Sequence, residues 1–485
     1  MLSIIVYTII VVTIKTGFVN RKTELEYIER EFGKGDFRFI SIIGRRRLGK
    51  TRFIGEFLKG KSGFCYILVP ELNDPDVRLE VARSFYEKFG ISFFGTPSWD
   101  EIFEKLFRYS LKERVIVVFD EFQRFARINK GIFSYLQKNI DRYASQSGLF
   151  LLVSGSSIGM MQEIFEHAAP LYGRRTGQMG FESFRFFALE DWFPELSVED
   201  RVYIYAIYGG TPKYLEEIES GELRKNLGKL LSRTGVLYNE PETLLKTEIS
   251  ESNTYFNILK NISAGTARPS EIAEKSGIKA TSIDYYLKVL INDLDLVKKE
   301  VPVCEKKASR KGIYLMNDSF FRFWFRFVYP NLSELEIGNP GRLLDKIEAE
   351  LDNFTGQAFE EISRQFLIEL NRAGKLPFTF GKIGRQWGKF QGEAGKNTYE
   401  IDLAALNENT KEILFCECKW QKQKIGPEVL AQLIEKAKYV NWHDKDRKEY
   451  FAVISRAGFT ENAEMFAEEK GVFLFTPEDF EGIRA

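Results

Sequence analysis

An α/β fold of several domains follows from three features of the sequence. A β-rich run, Phe37 to Ile43, stops at a glycine-bounded loop and resumes with apolar residues at helical spacing. Two continuous apolar runs, Val115 to Phe119 and Leu149 to Val153, end in polar residues, as strands buried on both faces of a parallel sheet do. Near the C-terminus, two further strands, 398–406 and 412–420, flank a short polar turn and follow an amphipathic helix.

The 485 residues are too many for one ordinary core, and 28% charged with 44% hydrophobic residues is the balance of a globular protein. Lys+Arg and Asp+Glu are equal at 69 each, so any attraction to nucleic acid must come from local patches. Four cysteines, at 65, 304, 416 and 418, are too few for a disulfide scaffold and fit a reducing cytoplasm. The apolar run Leu2 to Ile14 spans thirteen residues, short of the roughly 20 that a membrane helix needs. It lacks the flanks of a signal peptide. Residues 1–17 therefore read as an extension or added strand, with membrane association the alternative, and no membrane partner is expected.

The loop is Gly44-Arg45-Arg46-Arg47-Leu48-Gly49-Lys50-Thr51, and Phe53, Ile54, Phe57 and Leu58 follow at helical spacing. Strand, loop and helix are the context of a phosphate-binding P-loop. Its glycines let backbone N–H groups turn toward phosphate oxygens, Lys50 offers a charge to the β and γ phosphates, and Thr51 offers a hydroxyl to Mg2+. Such a loop needs an acid on a second strand, and 114–122 supplies Asp120 for the metal and Glu121 to polarise an attacking water. That second acid favours a hydrolytic ATPase over a kinase-like use of the loop. Ser156, at the end of the third strand, is a candidate γ-phosphate sensor. Arg174, in a glycine-flanked turn, is a candidate for neutralising transition-state charge in cis or in a neighbouring subunit. No guanine-reading motif follows, which leaves ATP as the expected cofactor.

Six stretches in order, FVNRKTELEYIEREF (18–32), GRRRLGKT, FDEFQ (119–123), SGSS (154–157), LYGRRTG (171–177) and IYGGTPKYLEE (207–217), resemble the archaeal ATPase family. Those proteins are P-loop ATPases of the AAA+ and STAND lineage. The resemblance implies a P-loop NTPase domain over 18–185 and a helical lid over 186–250. It also implies that Arg21 and Pro212 flank the nucleotide, with Lys213 a weaker sensor candidate.

Residues 251–330 read as a winged helix. Three short helices are expected from Tyr255 onward, the second capped by Ser270 and ended by Gly277, and the third carrying Ile283, Leu287, Leu290 and Ile291 inward. A two-stranded wing follows, with basic residues Lys298, Lys299, Lys306, Lys307, Arg310 and Lys311 suited to phosphate contacts. DNA is the partner this patch suggests, and a protein-contact module is the alternative. A winged helix followed by DSFFRFWFRFV (318–328) is similar to the longer members of the family.

Over 331–485 the expectation is a connector to residue 350, then a helix with Phe359, Ile362, Phe366, Leu367 and Leu370 on one face and Glu360 beside that stripe. A four-residue turn, Asn407 to Thr410, would set Asp402 opposite Phe415 and bring Asp402, Glu417 and Lys419 to one face, with Cys416 and Cys418 on the other. Two carboxylates and a lysine can hold a divalent metal and orient a water toward a phosphodiester. A thiolate site would need two more soft ligands, and Cys304, His167 and His443 do not supply them. The order Glu360, Asp402, Glu417-x-Lys419 resembles the restriction-endonuclease-like PD-(D/E)xK superfamily, which implies an αβββαβ core. Two functions follow: an ATP-hydrolysing, DNA-associated machine with a nuclease-like module, or a nucleotide-dependent switch whose C-terminal module binds without cutting. Self-association enters with the second role offered for Arg174.

Overall fold

The computed structural model describes residues 18–219, 221–249, 251–306, 311–390 and 398–483. The apolar run Leu2 to Ile14 and the wing residues Lys307 and Arg310 lie outside the described residues. Two compact units divide the chain: residues up to Ser183 with Lys288–Asp295, and Phe184–Leu287 with Leu296 onward.

The first unit is built on a parallel sheet of β1 (Arg38–Ile43), β2 (Phe64–Leu68), β3 (Val115–Asp120), β4 (Leu149–Gly155) and β5 (Gly177–Gly180) in the order β2-β3-β4-β1-β5. Every residue of β3 and β4 is buried, because helices cover both faces of the sheet. One core holds Val117, Phe119, Leu151 and Val153 with Phe103 and Phe107; the other holds Ile40, Ile42, Val118 and Leu152 with Phe53 and Phe57. Helices α1 (Lys22–Gly33) and α2 (Lys50–Leu58) belong to the second of these layers. Interposing β4 between β1 and β3 places three strand ends at one carboxyl edge, where parallel α/β sheets bind ligands.

In the second unit, helix α3 (Val198–Tyr208) is capped by Ser197, which accepts a hydrogen bond from Asp200 N at 3.1 Å. Its Val198 and Val202, with Phe186 and Phe187, share a core with Phe359, Phe366 and Cys416, so residues 186–202 and the C-terminal residues contribute to one hydrophobic cluster. Helices α4 (Ser252–Ser263), α5 (Pro269–Lys275) and α6 (Ile283–Lys288) follow, and a π turn (Val289–Asp293) continues the last. Ser270 does not cap α5: Arg268 stands at the cap position, and Pro269, which lacks an N–H to satisfy, starts the helix. Gly277 ends it at φ 68°. Strands β6 (Val297–Glu300) and β7 (Ile313–Met316) pair antiparallel as a hairpin.

The expected connector to residue 350 is wrong in its second half, because helix α7 runs without a break over Gly341–Arg372. Leu343, Leu344, Ile347 and Leu351 are buried along it, continuing the stripe assigned from Phe359 onward. Beyond it come β8 (Lys382–Lys389), β9 (Thr398–Asn407), β10 (Glu412–Lys419), α8 (Pro427–Ala437), β11 (Lys448–Ser455), α9 (Glu461–Lys470) and β12 (Val472–Phe475). The sheet order is β12-β11-β10-β9-β8, antiparallel over β8 to β10 and parallel over β10 to β12. The segment after β6 lies along the outer strand β8: Val303 N donates to Arg385 O at 3.0 Å, and Cys304 N donates to Gln386 Oε1 at 3.2 Å.

Candidate functional site

The phosphate loop leaves β1 beside β5. Phe181 N donates to Ile43 O at 2.7 Å, and a Cβ on Gly44 would stand 2.4 Å from Phe181 O, so that position takes glycine alone. Arg21 reinforces this corner, with its guanidinium over the Phe181 ring at 4.3 Å and its N–H groups donating to Glu24 and to the Glu182 carbonyl. Arg47 and Gly49 turn the loop at φ 72° and 81°, Leu48 anchors it in the core, and buried Arg45 donates to Ser183 Oγ at 3.3 Å. Arg46 is half-buried. Lys50 opens α2, and its ammonium donates to Gly44 O at 2.6 Å and Arg45 O at 2.8 Å, across the mouth of the loop.

Thr51 joins this loop to the acid strand, donating from Oγ1 to Asp120 Oδ2 at 2.9 Å. Two residues that the sequence pattern did not single out hold the same carboxylate: Tyr66 on β2 donates to Oδ2 at 2.6 Å, and Ser154 on β4 donates to Oδ1. Burial and the adjacent Asp120 charge push the Tyr66 phenol well above its ordinary pKa, so it remains a donor. Glu121 sits at φ 57°, a conformation costing on the order of 1 kcal/mol for a residue with a side chain. Its carboxylate accepts from Ser156 Oγ at 2.7 Å and from Gln123. A hydroxyl and a carboxylate 2.9 Å apart beside a lysine are a donor set suited to magnesium and polyphosphate.

Arg174 is not at this edge of the sheet. Thr176 N donates to Phe39 O at 2.8 Å, five residues before Gly44, or about 16 Å along the strand. Its guanidinium pairs with Asp141 at 3.1 Å. Parallel pairing of β1 and β5 thus sets Arg174 at the amino edge, away from the phosphate loop. Pro212 lies in the second unit as the buried first residue of a short helix, Pro212–Leu215. Beside it Gly210 packs so tightly that a Cβ would stand 1.8 Å from Phe184 O. Lys213 pairs with Glu216 and Glu217 at 3.4 and 3.6 Å.

The second cluster lies in the C-terminal sheet. Its β9–β10 register pairs Asn407 with Glu412 and Leu403 with Cys416, two residues from the expected pairing. The turn causes the shift: the Asn407 side chain accepts from Asn409 N and Thr410 N, and Lys411 takes φ 55°. An even slip preserves the faces, and continuing this register sets Asp402 opposite Glu417. Strict alternation nevertheless fails at Asp402. Tyr399 and Ile401 lie in the same core cluster as Ala404 and Leu406, because β9 carries one extra residue against β8 between Ile401 and Ala404. This β-bulge re-aims the carboxylate, and Asp402 Oδ2 accepts from Cys418 N at 2.8 Å, 3.8 Å from Lys419 Nζ.

Buried Glu417 accepts from Lys419 at 2.7 Å. Lys436 on α8, unread in the sequence, donates to both Glu417 oxygens at 3.1 and 3.2 Å. Burial and then the Glu417 charge, against the Lys419 and Lys436 ammonium groups, raise Asp402 to about 6. Burial disfavours the charged Lys419 ammonium, but Glu417 and Asp402 outweigh it and hold its pKa above the ordinary range. Glu360 comes from α7 on the other layer and pairs with Arg385 of β8 at 3.5 Å. Arg385 also meets Glu400 and, at 3.8 Å, Glu300 of β6. Burial and the Asp402 charge, against Arg385, raise Glu360 to about 8. Among the described residues no three His, Cys, Asp or Glu side chains are arranged to hold one ion. Cys416 and Cys418 pack into the core against α7, on the side away from Phe415.

The hairpin's charge is partly balanced in place: Lys298 pairs with Glu300 at 2.6 Å, Lys311 with Glu305, and Lys299 lies over Tyr314, while Lys306 is exposed. Among the described residues no helix is long and apolar enough to cross a membrane.

A five-stranded parallel sheet with a glycine-rich loop after β1 and an acid at the end of β3 defines a P-loop NTPase. Residues 18–218 match the family described as an ATPase domain predominantly from Archaea, and residues 324–430 match one described as archaeal and bacterial proteins of unknown function. An uncharacterized protein of Methanocaldococcus jannaschii is 33% identical over 469 residues, covering 96% of this chain and all of that one. The chain belongs to the archaeal ATPase family. An uncharacterized ATP-binding protein of the same organism is 50% identical over 44 residues, 9% of this chain and 75% of that one. Among solved structures, the Walker-type ATPase of Pyrococcus abyssi shares the fold, with 20% identity, a TM-score of 0.51, and coverage of 64% of this chain and 96% of that chain.

Proposed function

We propose that this protein hydrolyses ATP with Mg2+ and acts on DNA through a winged helix and a metal-dependent, nuclease-like C-terminal module. The 2.9 Å bond from Thr51 to Asp120 supports the first part most directly, since it joins the loop and the acid strand into one site. Magnesium, when bound by Thr51 and Asp120, would neutralise charge on the β and γ phosphates. Lys50 holds the same phosphates, Glu121 polarises the attacking water, and Ser156 positions Glu121. With Arg174 on the far edge, an arginine role for it requires a second copy of the chain.

For the second part, the bulge at Asp402 carries the argument, because bulges recur where a strand must present a side chain to a site. Asp402 and Glu417 then offer two carboxylates to a hard cation beside Lys419, within a helix–three-strand–helix–strand order like that of restriction-endonuclease folds. Helices α4 to α6 with the β6–β7 hairpin supply the winged helix. Plasmid nicking with Mg2+ or Mn2+ tests the module: wild type cuts and Glu417→Ala does not. Equal nicking by both, or none by either, refutes the nuclease reading. A second reading, a nucleotide-driven switch whose module binds without cutting, is favoured by one observation: Glu417 already has two ammonium partners.

A further inference from the structure

The pattern Asp402, Glu417-x-Lys419 asks for one lysine, and the structure holds two. Lys419 meets Glu417 Oε1 at 2.7 Å from the next position on the same face of β10. Lys436 reaches it from another element, one residue before the end of α8, and straddles the carboxylate with 3.1 Å to Oε1 and 3.2 Å to Oε2. A straddling ammonium fixes the plane of the carboxylate and neutralises it, and it stands where a divalent cation shared by those oxygens would bind. Lys436 also acts on Asp402, whose carboxyl its charge helps to ionise. Both ammonium groups are only partly exposed, so solvent screens them weakly.

We propose that Lys436 is a built-in counterion of this site: it positions Glu417 while no metal is bound, and it yields the carboxylate when a divalent cation enters. The displaced ammonium is then released beside the metal, where it can meet a phosphodiester oxygen. This rests on reading the cluster as a metal-dependent site, so the test must separate the two ideas.

Mn2+ binding by the full chain without nucleotide is measured by electron paramagnetic resonance, and the relevant signal is the part lost in Glu417→Gln. Removing an opposing charge at this range is worth about tenfold or more in a competing equilibrium. Lys436→Gln is therefore expected to bind Mn2+ about tenfold more tightly, and Lys436→Arg to remain near wild type. Binding in Lys436→Gln but not in wild type also supports the proposal. Equal, Glu417-dependent binding in wild type and Lys436→Gln overturns it and leaves the metal site standing. No Glu417-dependent Mn2+ in any form removes both. Wild-type protein gives an independent reading should the variants fold poorly: acylation of Lys436, followed by mass spectrometry, rises as Mn2+ frees the amine. Reactivity unchanged at saturating Mn2+ identifies a structural clamp and refutes the proposal.

Discussion

The two acid clusters described above are held by opposite chemistry. Asp120 and Glu121 take their hydrogen bonds from the neutral groups of Thr51, Tyr66, Ser154, Ser156 and Gln123. Asp402, Glu417 and Glu360 are met by Lys419, Lys436 and Arg385. Neutral donors orient a carboxylate and leave its charge for an arriving cation, whereas fixed ammonium and guanidinium groups cancel it in advance. Among the described residues, the first site thus keeps its carboxylate charge without a cationic partner, and in the second the charge is met by side chains.

Lys50→Ala puts the largest strain on this contrast. Phosphate release from ATP should fall by at least about a hundredfold, and undiminished turnover would break the assignment of the first site. Glu121→Gln should follow, keeping ATP binding by fluorescent-nucleotide titration while slowing hydrolysis about a hundredfold. Equal losses of binding and turnover would mean that Glu121 shapes the loop rather than the water. The charge balance of the second site is legible in stability. Glu360, raised to about 8 by burial and Asp402, favours the folded state when protonated, so its contribution is present at acid pH and is lost as pH rises from about 4.5 to 8. Glu360→Gln should remove that slope, giving at pH 8.5 a gain on the order of 1 kcal/mol in urea unfolding that is absent at pH 4. A gain of equal size at both pH values would point to packing instead. Smallest is Tyr66→Phe, which should raise the Mg2+ concentration for half-maximal ATP turnover a few-fold with little change in maximal rate. An unchanged Mg2+ dependence would leave Tyr66 a packing residue.

Local chemistry made the first site readable. Glycines at 44 and 49, Lys50 and Thr51 stand within eight residues, and a buried parallel strand advertises its acid by a continuous apolar run. Tyr66 and Ser154 stayed hidden because their partner Asp120 lies on a strand far away in sequence, and no periodicity reports strand order. The edge that Arg174 occupies was hidden for the same reason, since only the pairing of β5 with β1 reveals it. In the C-terminal module, side-chain parity brought Glu417 and Lys419 to the right face despite a register two residues off. The bulge at Asp402 broke that parity in a way that Glu-Ile-Asp-Leu-Ala does not announce. Strand β8 escaped notice because Gly384, Gly388 and three basic residues blur its alternation. Lys436 carried no signal in the sequence, and only tertiary packing sets it on Glu417.

The stretch from Pro302 to Glu305 covers part of the outermost strand of the C-terminal sheet, with Val303 bonded to Arg385 and Cys304 to Gln386. An outer strand is a template for pairing with other chains wherever its amides and carbonyls are bare. A C-terminal fragment beginning after the β6–β7 hairpin would lose this cover along with Glu300, the hairpin's contribution to the charges around Arg385. Such a fragment should be prone to self-pairing along β8, whereas one beginning before Val297 carries its own edge protection. The segment between the hairpin strands is thereby part of what shields the outer edge of the C-terminal sheet.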